Sequence, residues 1–259
     1  MEGPNELNRM ALPHYYSSLG PFRELFRTGR PLLTYHHVGP RLSGAHIKGL
    51  YVSAKLFARQ AAEFKDEGFS TPGFDNVLAK GPAGERVVFL TFDDGFCDVF
   101  ENAMPVLQRH QFRAIEFLVA DLLGKTSEWQ RRDDDAAGPL MDAAQVKDWL
   151  AAGNEIGSHT LSHPHLTQIP IAQAREEIAA SKKKLEDLFG RSVAHFCYPY
   201  GDWNAVVRDL VQEAGYRTAC TVGTGLNEPG ADPLALKRIT ARYPTRNWKA
   251  FWRWVGFGR

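Results

Sequence analysis

The sequence predicts a single α/β domain in which parallel strands are surrounded by helices. Three observations carry this. Short β-branched and aromatic runs alternate with stretches of helical period along most of the chain. The length, 259 residues, suits one α/β barrel. The polar motifs fall where apolar runs end, and in α/β barrels that end of the strands is the catalytic face.

Residues 1–30 read as irregular, broken by Pro4, Pro13, Gly20, Pro21 and Gly29. Pro31 to Tyr35 reads as the first strand. Ser53 is placed to cap a helix running through Lys65 and stopped by Gly68. Arg86 to Thr91 is a buried strand, because Val87-Val88-Phe89-Leu90 is continuously apolar. Asp98 to His110 has helical spacing, with Pro105 as its weak point. Phe112 to Val119 is a further strand. Thr126 to Pro139, with Arg131-Arg132-Asp133-Asp134-Asp135, reads as a solvated loop, with the rim of a cleft as the other reading. Asp142 caps a helix to about Ala152, ended by Gly153. Glu155 to Ser158 is a short strand. Ile171 to Phe189 is an amphipathic helix with Glu176, Glu177, Lys182, Lys183 and Lys184 on its solvent face. Phe196 to Tyr198, a helix over 204–214, and Arg217 to Val222 continue the alternation.

The strand at 86–91 delivers Asp93 and Asp94 side by side into Gly95. Adjacent carboxylates at a strand end repel each other and are costly to desolvate unless a cation offsets them. Ile156-Gly157-Ser158-His159-Thr160-Leu161-Ser162-His163-Pro164 supplies two imidazoles four residues apart. A helical turn would bring them to one face; an irregular loop could also converge them, and Pro164 argues against a continuing helix. Two imidazoles and one carboxylate form a zinc set with a fourth position open, leaving the second carboxylate free as a base.

Thr91-Phe92-Asp93-Asp94-Gly95, then Ser158-His159-Thr160 with His163-Pro164, then Tyr198-Pro199-Tyr200-Gly201, in that order, resembles the NodB-type polysaccharide deacetylases, carbohydrate esterase family four. Leu33-Thr34-Tyr35-His36-His37-Val38 and 107–120 are also similar to members of that family. The resemblance spans about Pro31 to Thr240. It implies a distorted (β/α) barrel over 31–240, flanked by an irregular segment over 1–30 and an aromatic and basic one over 241–259. It further implies a divalent metal and hydrolysis of an N-acetyl group on an amino sugar. By the same resemblance Asp94, His159 and His163 bind the metal, Asp93 is the general base, and the backbone N–H of Tyr200 helps hold the oxyanion. Zinc is the expected ion; cobalt, nickel or manganese would suit the same donors.

Two departures stand out. Where the family carries an arginine that holds the base aspartate, this chain has Cys197. Where many members carry Leu-x-His with the general acid, the candidate segment here is Leu234-Ala235-Leu236-Lys237-Arg238-Ile239, with no histidine, and none follows His195. Arginine is too basic to donate a proton near neutral pH. Arg238, with Tyr198, is therefore expected at the substrate, where it would bind an anion or steady the tetrahedral intermediate. His36, at the end of the first strand, is the replacement acid expected here, because imidazole titrates in the right range. A satisfied buried histidine is the other reading of His36. His37 should point the opposite way.

Lys and Arg total 31 against 30 Asp and Glu, a net charge of +1 that gives no electrostatic case for nucleic acid. Cys97, Cys197 and Cys220 form no CxxC pair and suit a reducing compartment. Met1 to Glu6 lacks the basic start and apolar stretch of a signal peptide, so a cytoplasmic location is expected. The expected partner is an N-acetylated saccharide, carried as a nucleotide-linked or lipid-linked precursor. Trp248, Phe251, Trp252 and Val255 recur at helical spacing, with Arg246, Lys249 and Arg253 on another face. Such a helix either packs on the barrel or a second subunit, or lies at the inner membrane surface through 246–259. The oligomeric state is left open. Beside the N-deacetylase stand two other readings: another amide hydrolase, such as a deformylase or cyclic-amide hydrolase, and a non-catalytic carbohydrate-binding protein.

Overall fold

The computed structural model of the chain describes residues 13, 15–79, 81, 84–228 and 230–243. Seven parallel strands close into a barrel: β1 (Leu32–Tyr35), β4 (Phe89–Asp94), β5 (Ala114–Leu118), β6 (Glu155–Ser158), β7 (His195–Cys197), β8 (Thr218–Thr224) and β9 (Leu236–Thr240). Closure is made by β1 lying between β4 and β9, with Leu33 opposite Ile239 and Thr34 opposite Thr240. The remaining strands, β2 (His37–Val38) and β3 (Tyr51–Val52), pair with each other beside the barrel mouth. The distorted (β/α) barrel implied by the resemblance is the observed architecture.

Strand parity sorts the side chains into two cores. Leu32, Phe89, Ile115, Phe117, Cys197, Cys220 and Leu236 fill the barrel, with Phe74 and Val77. Phe74 meets Glu155 and His195 at the beginnings of β6 and β7, so it plugs the end where those strands start. Leu33, Tyr35, Leu90, Phe92 and Ile239 face outward and pack beneath the helices. The same parity sends Asp93 inward two residues after Thr91, and His36 inward two after Thr34. His37 goes the other way, stacked between Tyr51 and Phe96 with its Nδ1 2.8 Å from Asp98.

Ser53 caps the helix Ala54–Asp66 by accepting from the Leu56 N–H. Asp142 and Gln145 form a capping box on Ala143–Ala151. The 98–110 helix is two helices, Cys97–Asn102 and Met104–His110, because Pro105 lacks an N–H and starts a new first turn. Within 1–30, expected to be irregular, Gly20–Phe22 and Arg23–Thr28 are helical; Phe22 and Phe26 pay for ordering this segment by burying their rings against Tyr16. The aromatic and basic stretch 246–259 lies outside the described residues. Among the described residues, no helix is long and apolar enough to cross a membrane.

Candidate active site

The ends of β1, β4, β6, β7 and β9 converge on one cleft of about 260 Å³, lined by His36, Asp93, Asp94, His159, His163 and Tyr200 among others. Asp94 leaves its strand with φ +82°, a left-handed conformation that costs about 1–3 kcal/mol for a residue bearing a side chain. That turn aims Asp94 away from its neighbour: Asp93 continues the inward row of β4, while Asp94 faces the histidines. Gly95 follows at φ +84°, where a Cβ would press on Leu118.

His159 and His163 come from an irregular loop, and Thr160 and His163 both have positive φ. Three groups hold this loop. The Leu118 carbonyl accepts from the His159 N–H at 2.8 Å. The Thr160 hydroxyl accepts from the His163 N–H at 2.9 Å. Glu177 accepts from the Leu161 and Ser162 N–H groups, each at 2.9 Å, and from the Ser162 hydroxyl at 2.6 Å.

The Nε2 atoms of His159 and His163 each lie 3.4 Å from Asp94 Oδ1. Ligands about 2.0–2.1 Å from a tetrahedral ion stand about 3.3–3.4 Å apart, so the spacing fits a zinc-sized cation. His159 Nδ1 donates to the Cys197 carbonyl at 2.7 Å, leaving Nε2 to face Asp94. Burial raises Asp94, but hydrogen bonds from both imidazoles outweigh it and hold the carboxyl well below its ordinary range. Burial lowers His163 to about 4, so its ring is neutral at neutral pH; burial lowers His159 too, but its Cys197 and Asp94 neighbours outweigh it and hold that imidazole well above its ordinary value. Asp93, His159 and Cys197 make a second cluster of donors. It suits a cation poorly: both Asp93 oxygens are engaged by arginine, and burial pushes the Cys197 thiol up to about 11.

Asp93 is clamped by Arg238, Oδ1 to Nη1 and Oδ2 to Nη2, both at 2.7 Å. Burial pushes its carboxyl up; the Arg238 charge and hydrogen bonds outweigh this and hold it below its ordinary 3.8. His36 Nε2 lies 3.8 Å from Asp93 Oδ2 across the cleft, and burial lowers this imidazole against the pull of both aspartates.

Residues 80–219 match the sequence profile of the polysaccharide deacetylase family. The chain belongs to the polysaccharide deacetylase family. Its relatives include YxkH of Bacillus subtilis, a candidate polysaccharide deacetylase, 27% identical over 214 residues that cover 81% of this chain and 70% of that protein. Another is the poly-β-1,6-N-acetyl-D-glucosamine N-deacetylase of Staphylococcus aureus, 24% identical over 203 residues, 76% of this chain and 70% of the relative. The Streptococcus pyogenes deacetylase PplD, solved in complex with acetate, shares the fold with a TM-score of 0.72 at 24% identity, over 87% of this chain and 97% of that one.

The remaining expected residues, Tyr198, Tyr200 and Arg238, line the same cleft. Arg238, expected at the substrate, lines the cleft and is turned inward onto Asp93, with only 3% of its surface exposed. All five of its N–H donors are engaged, by Thr221 O, Thr91 Oγ1, the two Asp93 oxygens and Cys197 Sγ. It reaches the Asp93 carboxylate from β9, and its Nη2 lies 3.2 Å from the Cys197 sulfur, at the position where the family's arginine was sought. Tyr198, also expected at the substrate, lines the cleft too; it is buried, with its hydroxyl donating to the Leu234 carbonyl at 2.9 Å. Tyr200 stays at the cleft, at φ +57°, with its hydroxyl donating to Asp133 at 2.9 Å.

The stretch 126–139, read as a solvated loop, is a wall of the cleft. It contains the helix Glu128–Arg132, and Trp129 is buried with its ring stacked on His163 at 4.4 Å. Tyr200 packs on the same imidazole at 4.5 Å. This cover excludes water from the His163 ring and fixes its orientation. Glu177, read as solvent-facing, is buried, because it sits on the same stripe as Ala174, Ile178, Ser181 and Leu185.

Glu116 on β5 was not singled out by its sequence context. It is fully buried, accepts from the Gly95 N–H at 2.8 Å, and burial pushes its carboxyl well above the ordinary range. Its carboxyl thus holds the Asp94-Gly95 turn. Glu116→Gln should keep the acceptor and stay within about 0.5–1.5 kcal/mol of the parent. Glu116→Ala should lose about 1–3 kcal/mol by orphaning the Gly95 N–H. Denaturant midpoints of the two variants check this; equal losses would contradict it.

Proposed function

We propose that the chain is a metal-dependent N-deacetylase that hydrolyses the N-acetyl group of an amino sugar in a glycan or glycan precursor. The observation that carries this reading is the juxtaposition of the Asp94–His159–His163 donor set with an ionised, arginine-clamped Asp93 in one cleft. Asp94, His159 and His163 would hold the cation, zinc being the best fit to their spacing and donor type. When bound, it supplies Lewis-acid polarisation of the amide carbonyl and acidifies water.

The chain's own residues do the rest. Asp93 takes the proton of the attacking water; Arg238 keeps it ionised and fixes both oxygens, so only small reorganisation accompanies the transfer. His36, whose Nε2 faces Asp93 Oδ2 at 3.8 Å, is assigned to receive that proton from Asp93 and pass it to the departing amine. The backbone N–H of Tyr200 is assigned to the developing oxyanion, with the Tyr200 ring held by Asp133 and by stacking on His165 at 3.8 Å. The name of the staphylococcal relative supports N-acetylglucosamine as the acetylated unit. The three free cysteines support a reducing compartment, and so a cytoplasmic precursor as substrate.

A panel of N-acetylated, N-formylated and cyclic amide substrates, assayed for acetate, formate and amine release, tests the assignment. Acetate release from N-acetylglucosamine compounds is expected to dominate. Preferential formate release or ring opening would move the activity to another amide hydrolase, and no turnover on any of them would leave a carbohydrate-binding role.

A further inference from the structure

Beside the catalytic cleft lies a second pocket of about 580 Å³, lined by Arg41, Lys48, Tyr51, Arg242 and Tyr243 among others. Gly49 and Arg242 line both cavities, so the two adjoin. Arg242 lies flat on Gly49, in the space a Cβ there would occupy; its Nε donates to the Gly49 carbonyl at 3.3 Å, and its guanidinium sits 4.0 Å over the Tyr15 ring. Among the described residues no carboxylate pairs with Arg41, Lys48 or Arg242, and none lines this pocket.

Arg41, Lys48 and Arg242 share this lining, while the nearby Asp98 carboxylate, against Gly39, is already held by His37 and the Val38 N–H; the positive potential left in the pocket is one that an anion would offset. A planar guanidinium and an ammonium are the usual partners of phosphate oxygens. We infer that this pocket takes a phosphate or diphosphate group carried by the same substrate whose N-acetyl group enters the catalytic cleft. This rests on the deacetylase reading and narrows its substrate class to phosphate-bearing amino sugars. The phosphate could belong to a sugar 1-phosphate, a nucleotide-linked sugar or a lipid-linked one, and all three present the same group to Arg41, Lys48 and Arg242.

The test compares acetate release from methyl N-acetylglucosaminide, N-acetylglucosamine 1-phosphate, its uridine diphosphate derivative and a short polyprenyl diphosphate derivative. The metal-loaded full chain is set beside Arg41→Gln/Lys48→Gln. The phosphorylated compounds are expected to have KM values lower than the neutral glycoside by about tenfold or more, and the double variant should erase most of that ratio. The carrier with the lowest KM identifies the source of the phosphate. Equal KM values for neutral and phosphorylated substrates, or a ratio that survives in the double variant, would overturn the inference. Calorimetric binding of glucosamine 1-phosphate against methyl glucosaminide separates this from failure of the deacetylase reading. With no acetate released from any substrate, a phosphate-dependent affinity that the double variant loses would keep the anion site, and its absence would remove it.

Discussion

Replacing Asp93 with asparagine is expected to lower kcat/KM for deacetylation by about 10²–10⁴-fold while the chain still takes up its metal. Asparagine keeps the shape of the side chain and removes the basic oxygen. The proposed ligands Asp94, His159 and His163 are untouched, because the turn at φ +82° points Asp94 away from its neighbour. The Arg238 charge is left buried without its partner, so a fall in stability of about 3–5 kcal/mol is expected alongside. Acetate release, metal content and a denaturant midpoint measured on one preparation separate these effects. An Asp93→Asn chain with near-parental turnover would remove Asp93 from the chemistry.

Arg238→Gln should move the acid limb of the kcat/KM profile to higher pH. Burial is the largest influence on Asp93 and raises its carboxyl; the Arg238 charge opposes it and prevails. Without that charge burial dominates, the carboxyl protonates at higher pH, and the ionised base is lost sooner as pH falls. The stability consequence has the same origin. Because the folded carboxyl is held below its ordinary 3.8, the stabilisation is present above that value and lost as pH falls through the folded one. At neutral pH, removing Arg238 should cost about 3–5 kcal/mol, since a buried carboxylate loses its partner. Arg238→Lys restores a charge without the planar fork and should recover part of the pH shift. A variant that raises KM for anionic substrates and leaves the acid limb in place would return Arg238 to the substrate-binding role its sequence position suggests.

Much of this site was legible in the sequence because strand parity and motif spacing are local. The apolar run before Asp93 marks a strand, strand parity sends Asp93 and His36 inward, and the His159 to His163 spacing brings two imidazoles together, though it left a helical turn and the observed irregular loop both open. What the sequence hid is long-range. Arg238 lies 145 residues from Asp93, and the two meet only because the barrel closes through β9. A charged residue at an inward position of Leu236–Thr240 was the available sign: Leu236 faces the barrel core, so Arg238, two residues on, does too. Glu177 could have been found the same way, since it falls on the apolar stripe of its helix rather than opposite it. Trp129 was obscured by the charges around it; a lone large aromatic inside a polar stretch is the cue that such a stretch has something to cover.

The most direct test of the account is acetate release from N-acetylglucosamine oligosaccharides by one preparation, stripped with a chelator and then reconstituted with zinc. The stripped chain should be inactive, and zinc should restore turnover in proportion to the metal bound, with no restoration in His159→Ala/His163→Ala. Undiminished acetate release from the metal-free chain, or restored activity in the double variant, would contradict a site built on Asp94, His159 and His163.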